Sequence, residues 1–284
     1  MLRRLRRGVI FPIMPSRRSR SPAPQSKGPP APRNTVPLAR ALSKLGICSR
    51  AQAEEAIRGG RVRVNGRIVT DGTRRVVPES DAIVMDGSAA VAPTKRTYVM
   101  LNKPRGVLTT RSDPRERATV YDHLTDPMLP FLGPVGRLDQ ASEGLLLLTN
   151  DTQWGNAITA PASHVRKTYH VQVSRVPDTA LLEALRAGVA TDEGDVLRAA
   201  QVDILRAGER HGWLVVELEE GKNRQIRRMV EASGADVLRL VRVAIGPLTL
   251  GDLAKGAWRH LTSVEVEGVA RAAGRSSSAR PRRG

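Results

Sequence analysis

A single cysteine, Cys48, stands among 284 residues. No intramolecular disulfide can form, and a reducing compartment fits best. Aromatic residues make up 3% of the chain, too few for a platform of exposed rings on which successive bases stack. The five histidines are scattered, without the Cys/His spacing of a zinc site, so no metal is expected. Neither a GxGxxG fingerprint nor a phosphate-binding P-loop occurs, so no small-molecule cofactor is expected. No run of Leu, Ile, Val and Met approaches the ~20 residues of a membrane span, so no membrane partner is expected. Acidic residues are missing from both ends. Residues 1–36 hold nine basic side chains and residues 268–284 hold five, with no acid in either stretch.

Hydrophobic residues make up 40% of the chain, enough for a real core, and the net charge is +18. The distribution of charge says more than its sum. Residues 37–95 carry ten basic and six acidic groups, while residues 96–267 carry 22 of each. The ends and a small N-terminal segment therefore hold the excess, and the large middle region is balanced. A polyanion bound by the basic parts is the natural partner. With so few aromatics, its recognition should run through phosphates, shape and one enclosed base.

Residues 1–36, rich in Arg, Ser and Pro, read as a disordered basic tail. The start MLRRLRRGVIFPIM has two readings, an organelle transit segment or an extension ahead of a bacterial start at Met14. Its apolar stretch is too short for a secretory signal, and the bacterial cytoplasm is the favoured location. Residues 37–95 read as a compact module and linker. Leu38, Leu42 and Leu45 recur at helical spacing, with Gly46 placed to end the helix. Ser49 and Gln52 make a capping-box pattern for a second helix, closed by Gly59-Gly60. Val62 and Val64, then Asn65-Gly66, then Ile68 spell two strands around a tight turn.

Residues 96–267 read as the major domain. Strands are expected at Tyr98–Leu101, Leu145–Leu148, Thr168–Val173 and Trp213–Leu218, and helices at Asp178–Ala187 and Arg224–Ser233. Their short, hairpin-like connections argue for an α+β fold with a mixed, mostly antiparallel sheet and flanking helices. Residues 268–284 read as a second disordered basic tail.

Four stretches could carry chemistry. PVGRLDQASEGLLLLTND, residues 134–151, places Asp139 at the mouth of a buried strand with Arg137 two residues away. That is a way to fix one charged nucleophile, although a loop aspartate alone is as often a turn or cap residue. KTYHVQV, residues 167–173, puts Tyr169 on a strand with a stacking face and a polar tip, and sends His170 to the other side. EGKNRQIRRMVEASG, residues 220–234, sets Lys222, Arg224, Arg227 and Arg228 around a helix start, where backbone N–H groups also favour anions. A solvated basic face is the plainer reading there. LNKPRGVLTTRSDP, residues 101–114, flanks Pro104 with Lys103 and Arg105, a turn suited to phosphates.

Together these stretches, with the three catalytic motifs around Asp139, Tyr169 and Arg227 in that order along the chain, resemble the RsuA/RluB-type ribosomal RNA pseudouridine synthases over residues 37–265. LARALSKLGICSRAQAEEAIRGGRVRVNGRIV resembles the alpha-L RNA-binding module first named from a small-subunit ribosomal protein, with Arg40, Lys44, Arg50 and Arg61 as its cations. The resemblance implies that Asp139 is the catalytic carboxylate and that Tyr169 packs on a flipped uracil. It also implies that Arg227 pairs with Asp139, with Arg137 as a second cation beside it. Lys103, Arg105, Lys222, Arg224 and Arg228 would meet RNA. Asn223-Arg224-Gln225 favours large-subunit over small-subunit RNA. The implied partner is ribosomal RNA or an assembling subunit, bound by a monomer. The alternatives are a synthase for transfer RNA and a non-catalytic assembly factor on the same scaffold.

Overall fold

The computed structural model describes residues 35–274 apart from 46, 49, 79, 87–94 and 112. Both expected tails lie largely outside these residues, as do the helix stop Gly46, the cap Ser49 and most of the link 92–95. Val36, the last residue of the expected first tail, pairs with Val76, and Pro37, the first of the module, with Arg75.

The N-terminal module holds α1 (Leu38–Lys44) and α2 (Arg50–Arg58), followed by β1 (Val62–Val64), β2 (Arg67–Ile68) and β3 (Ile83–Met85). Asn65 and Gly66 both adopt positive φ, 51° and 79°. That backbone twist matches the twist of the β1–β2 hairpin. Leu38, Leu42, Ile57, Val62, Val64 and Ile83 fill a separate small core.

The major domain is built on β4 (Tyr98–Lys103), β5 (Gly133–Val135), β6 (Glu143–Thr149), β7 (Lys167–Val173), β8 (Gln201–Ala207), β9 (Gly212–Leu218), β10 (Val237–Ile245), β11 (Leu248–Thr249) and β12 (Trp258–His260). The sheet runs β8-β9-β7-β10-β6-β4-β12, with β5 added to β6 and β11 to β10. β10 and β6 are parallel and the other pairs antiparallel, so the mixed, mostly antiparallel α+β sheet is borne out. Burial explains the composition of each strand. β6 lies mid-sheet, buried along its whole length, and its centre, Leu145–Leu148, is an unbroken apolar run. Its Leu146 and Leu148 enter one core, while Leu145 and Leu147 enter another under α3 (Thr152–Thr159). β7 and β9 alternate buried and half-exposed residues because one of their faces is open. α4 (Thr179–Ala187) and α5 (Gln225–Ala232) supply Leu181, Leu185, Ile226 and Met229 to the first core.

The expected boundary at residue 267 is corrected. A helix, α6 (Ser263–Ala272), runs through it. Thr262 and Glu265 form a capping box at its start, and Val269 is fully buried.

One glycine decides the sheet order. Gly144 has φ +101°, and a Cβ there would lie 2.3 Å from the carbonyl oxygen of Arg242. A side chain is excluded, so β10 can lie against β6 at this point. Next to it, buried Glu143 accepts from Arg239 at 2.8 and 3.1 Å and pairs with Lys255 at 2.6 Å. Arg239's hydrogen bonds, the largest cause, hold the Glu143 carboxyl at about 2 rather than 4.5, with Lys255 assisting and burial opposing. The folded value lies below the unfolded one, so this stabilisation is complete above pH 4.5 and is lost as the pH falls towards 2. In denaturant titrations, Glu143→Gln should therefore be less stable than wild type at neutral pH, with the gap closing between pH 4.5 and 2. A gap that does not change with pH would contradict this.

Candidate active site

Asp139 lies in the turn leading into β6, and five consecutive carbonyls of that turn are held. The Leu138 oxygen accepts from Thr109 Oγ1 at 2.7 Å. The Asp139 oxygen accepts from Lys103 Nζ at 3.2 Å and Ser142 N at 3.0 Å. The Gln140 oxygen accepts from Gly106 N at 2.8 Å, and its side chain returns a bond to the Gly106 oxygen at 3.0 Å. The Ala141 oxygen accepts from Arg227 at 3.1 Å, and the Ser142 oxygen from Lys103 at 2.8 Å. The backbone is fixed on all sides. Among the described residues, the Asp139 carboxylate forms no hydrogen bond or ion pair.

That carboxylate faces a pocket of about 680 Å³, within the range typical of small-molecule and nucleotide sites. Its wall includes Arg137, Ser142, Lys167, Tyr169, Arg224 and Arg242. Tyr169 is buried to 8% exposure, with its ring on the pocket side. His170 alternates to the opposite face as expected, half-exposed, its pKa lowered by burial and then by Arg206.

Sequence reasoning missed Arg242. It sits on β10 opposite Tyr169 and beside Gly144. The side chain is buried, Nε donates to the Leu145 carbonyl at 2.8 Å, and one terminal nitrogen, Nη2, has no partner. A buried guanidinium with a spare donor thus stands in the wall of the pocket that Asp139 also lines. Its one sequence signal was an arginine inside the apolar strand VLRLVRVAI, at a place where alternation gives no hint of a carboxylate nearby.

Three expectations are corrected. Lys103 is not an exposed phosphate contact. It is fully buried, and its ammonium donates to the carbonyls of Pro104, Asp139 and Ser142. Burial lowers its pKa to about 8, against opposing pulls from Glu143 and Asp139. Arg227 makes no ion pair with Asp139. It lies on the buried face of α5, donating to the carbonyls of Ala141 and Val237, and so touches the loop that carries the aspartate through its backbone. Burial, then Arg224, lowers its pKa, while the charge of Asp139 opposes them. Arg228 is not free for RNA. Its guanidinium binds Glu193 at 3.0 Å, Asp195 at 3.1 Å and Thr191 at 2.9 Å.

The remaining expected cations divide: some are exposed, Arg137 among them rather than tucked against Asp139, and some are ion-paired. Arg105 is exposed beside the loop, and Arg137, Lys222 and Arg224 are exposed at the pocket rim. Arg224 holds a left-handed conformation, φ 47°, at the start of α5. In the N-terminal module Arg40 and Arg50 are exposed, and Arg61 is engaged by Asp86 at 3.3 Å and Glu55 at 4.0 Å. The Lys44 side chain lies outside the described residues.

A mixed sheet thus presents one unpaired carboxylate, a tyrosine and a buried arginine to a nucleotide-sized pocket. The comparisons assign the class. Residues 97–232 match the family model for RNA pseudouridylate synthase, and residues 36–82 match the S4 domain. A protein of Aquifex aeolicus (strain VF5) named as an uncharacterized RNA pseudouridine synthase is 36% identical over 250 residues, covering 87% of this chain and 99% of its own. Ribosomal large subunit pseudouridine synthase B of Bacillus subtilis (strain 168) is 36% identical over 233 residues, covering 81% of this chain and 93% of its own. A crystal structure of a pseudouridylate synthase superposes with a TM-score of 0.60 at 30% identity, covering 82% of this chain and 99% of that one. The chain belongs to the RNA pseudouridine synthase family and carries an N-terminal S4 RNA-binding domain.

Lys103 gives the site a sharp test. In Lys103→Met the Pro104 and Ser142 carbonyls lose a buried donor, which should cost ~1–3 kcal/mol in denaturant unfolding. Asp139 should drift, lowering kcat roughly ten- to a hundred-fold with little change in RNA affinity. Lys103→Arg should not restore either property, because three carbonyls converge on one compact, fully buried ammonium. A Met variant as stable and as fast as wild type would show that the ammonium holds nothing.

Proposed function

We propose that this chain isomerises one uridine of large-subunit ribosomal RNA to pseudouridine, with Asp139 as the catalytic carboxylate. The observation that carries the reading is the Asp139 side chain itself, unpaired on a rigid loop at the wall of a pocket shared with Tyr169 and Arg242. The reaction breaks the bond from the ribose to N1 of uracil and forms one to C5. C5 gives up a proton, N1 gains one, and nothing is oxidised or reduced. A carboxylate, a ring to pack on the base and a cation to steady charge answer those needs.

The uridine must leave its stack, at a cost of a few kcal/mol, and RNA gripped by the S4 domain offsets it. Tyr169, which lines the pocket, packs on the flipped uracil and its hydroxyl takes the proton from C5. Arg242 steadies the carboxylate from within the sheet, while Arg227 and Lys103 hold its loop. Arg137 and Arg224 at the rim, with Arg40 and Arg50 on the S4 domain, meet phosphates. Large-subunit RNA is supported by Asn223-Arg224-Gln225 and by the name of the Bacillus subtilis relative. The substrate is the free RNA or an assembling subunit, and the reaction belongs in the bacterial cytoplasm, where that RNA is made.

The test is a pseudouridine map of both ribosomal RNAs from cells with and without the gene, by carbodiimide modification and reverse-transcription stops. One stop should vanish from large-subunit RNA, return with wild type, and fail to return with Asp139→Asn, whose RNA affinity should stay within about two-fold of wild type because shape is kept and one charge is lost. An unchanged map in both RNAs would overturn the reading.

A further inference from the structure

We infer that Lys167 forms an anion subsite in the active-site pocket and takes a phosphate of the flipped nucleotide. The inference rests on the proposed function and adds a residue to it.

Lys167 opens β7, two residues before Tyr169, so both side chains stand on the same face of the sheet. The spacing along the strand is about 6.6 Å, comparable to the reach from a nucleobase to its own phosphate. The residue lines the pocket and is half-buried. Among the described residues it makes no hydrogen bond or ion pair. Burial, and then the charge of Arg242, lowers its pKa. An ammonium in that position has lost part of its water and has gained no acceptor.

The acids of the pocket do not account for it. Glu219 is held by Arg166 at 3.3 Å, and Glu220 by Gln225 at 2.9 Å and Lys222 at 3.8 Å. Asp139 remains as the one unpaired carboxylate among the described pocket residues. Against it stand Arg137, Lys167, Arg224 and the spare nitrogen of Arg242. Uracil is neutral and cannot offset this surplus. A phosphodiester can, and Lys167 is the half-buried member of the group that is neither at the open rim nor bonded to the sheet. A lysine suits the task because its charge is compact and its stem reaches along the wall.

The test compares uridine with uridine 3′- and 5′-monophosphate, titrated by calorimetry into the full chain as wild type, Lys167→Gln and Lys167→Arg. One monophosphate should bind wild type at least about ten-fold more tightly than uridine. That advantage should disappear in the Gln variant and persist in the Arg variant. Equal affinities in wild type, or an advantage that survives in Lys167→Gln, would overturn the subsite. A second arm follows tritium release from large-subunit RNA transcripts labelled with [5-³H]uridine. The Gln variant should keep kcat within about two-fold, raise KM and lose about 0.7–0.9 of the salt slope, the share of one phosphate contact. A fall in kcat at unchanged slope would move Lys167 to the base and overturn the phosphate assignment. Should wild type release no tritium while the monophosphate advantage still depends on Lys167, the subsite stands and the proposed substrate falls.

Discussion

The site depends on one rung of the sheet. Lys103 on β4 pairs with Gly144 on β6, Gly144 with Arg242 on β10, and Arg242 with Tyr169 on β7. Four residues far apart in sequence thus stand side by side because strands pair in register. The rung closes at Gly144, where a Cβ would sit 2.3 Å from the carbonyl of Arg242. Any side chain would push β10 off β6 and take Arg242 and Tyr169 away from the Asp139 loop. A glycine there weakens the strand by roughly 0.5–1 kcal/mol, but it lets both halves of the pocket share one rigid element. Sites built on strands hold their geometry better than sites built on loops alone.

Asp139 itself is on a loop, and the structure meets that weakness by tying down the loop backbone. Carbonyls 138 to 142 each accept from a donor in a different segment or a neighbouring turn. Two of the donors are buried cations, Lys103 and Arg227, whose charges face carbonyl dipoles instead of carboxylates. Hydrogen bonds to charged groups are the stronger kind, ~1.5–3 kcal/mol net. Spending cations on carbonyls also leaves the aspartate side chain unbonded.

This division of labour explains what was legible in the sequence. The Asn65-Gly66 turn, the buried leucines of β6, the alternation of β7 and the mixed sheet follow from local chemistry, since periodicity and turn residues report burial and backbone angles directly. Asp139 and Tyr169 were found because their motifs are contiguous. The arginines of α5 were not sorted correctly. Arg224, Arg227 and Arg228 lie at neighbouring helical positions, so spacing predicts one cationic face. In the fold, Arg224 lines the pocket, Arg227 turns under the loop and Arg228 is neutralised by Glu193 and Asp195. The partners that separate them come from other segments, and no local pattern contains them. Arg242 and Lys103 escaped for the same reason, since their roles come from the rung and not from their neighbours in the chain. The last helix was passed over because the expected boundary cut it: its capping box, Thr262 and Glu265, lies before residue 267 and its last turn falls in the stretch read as a basic tail.

Charge counting therefore misleads at a site like this one, and pairing corrects it. The domain from 96 to 267 is balanced in number, yet its pocket is not balanced in space. Glu143, Glu217, Glu219, Asp195 and Glu193 are committed to arginines and lysines that brace strands and turns. Those commitments leave the pocket wall with cations to spare around a single carboxylate. An enzyme that must draw a nucleotide from a polyanion needs this inequality where the nucleotide enters. On the proposed function it also needs the carboxylate to stay unpaired until the base arrives. A fold that pairs its acids elsewhere and pins the aspartate by its backbone meets both needs, without placing a counter-ion in the path of the substrate.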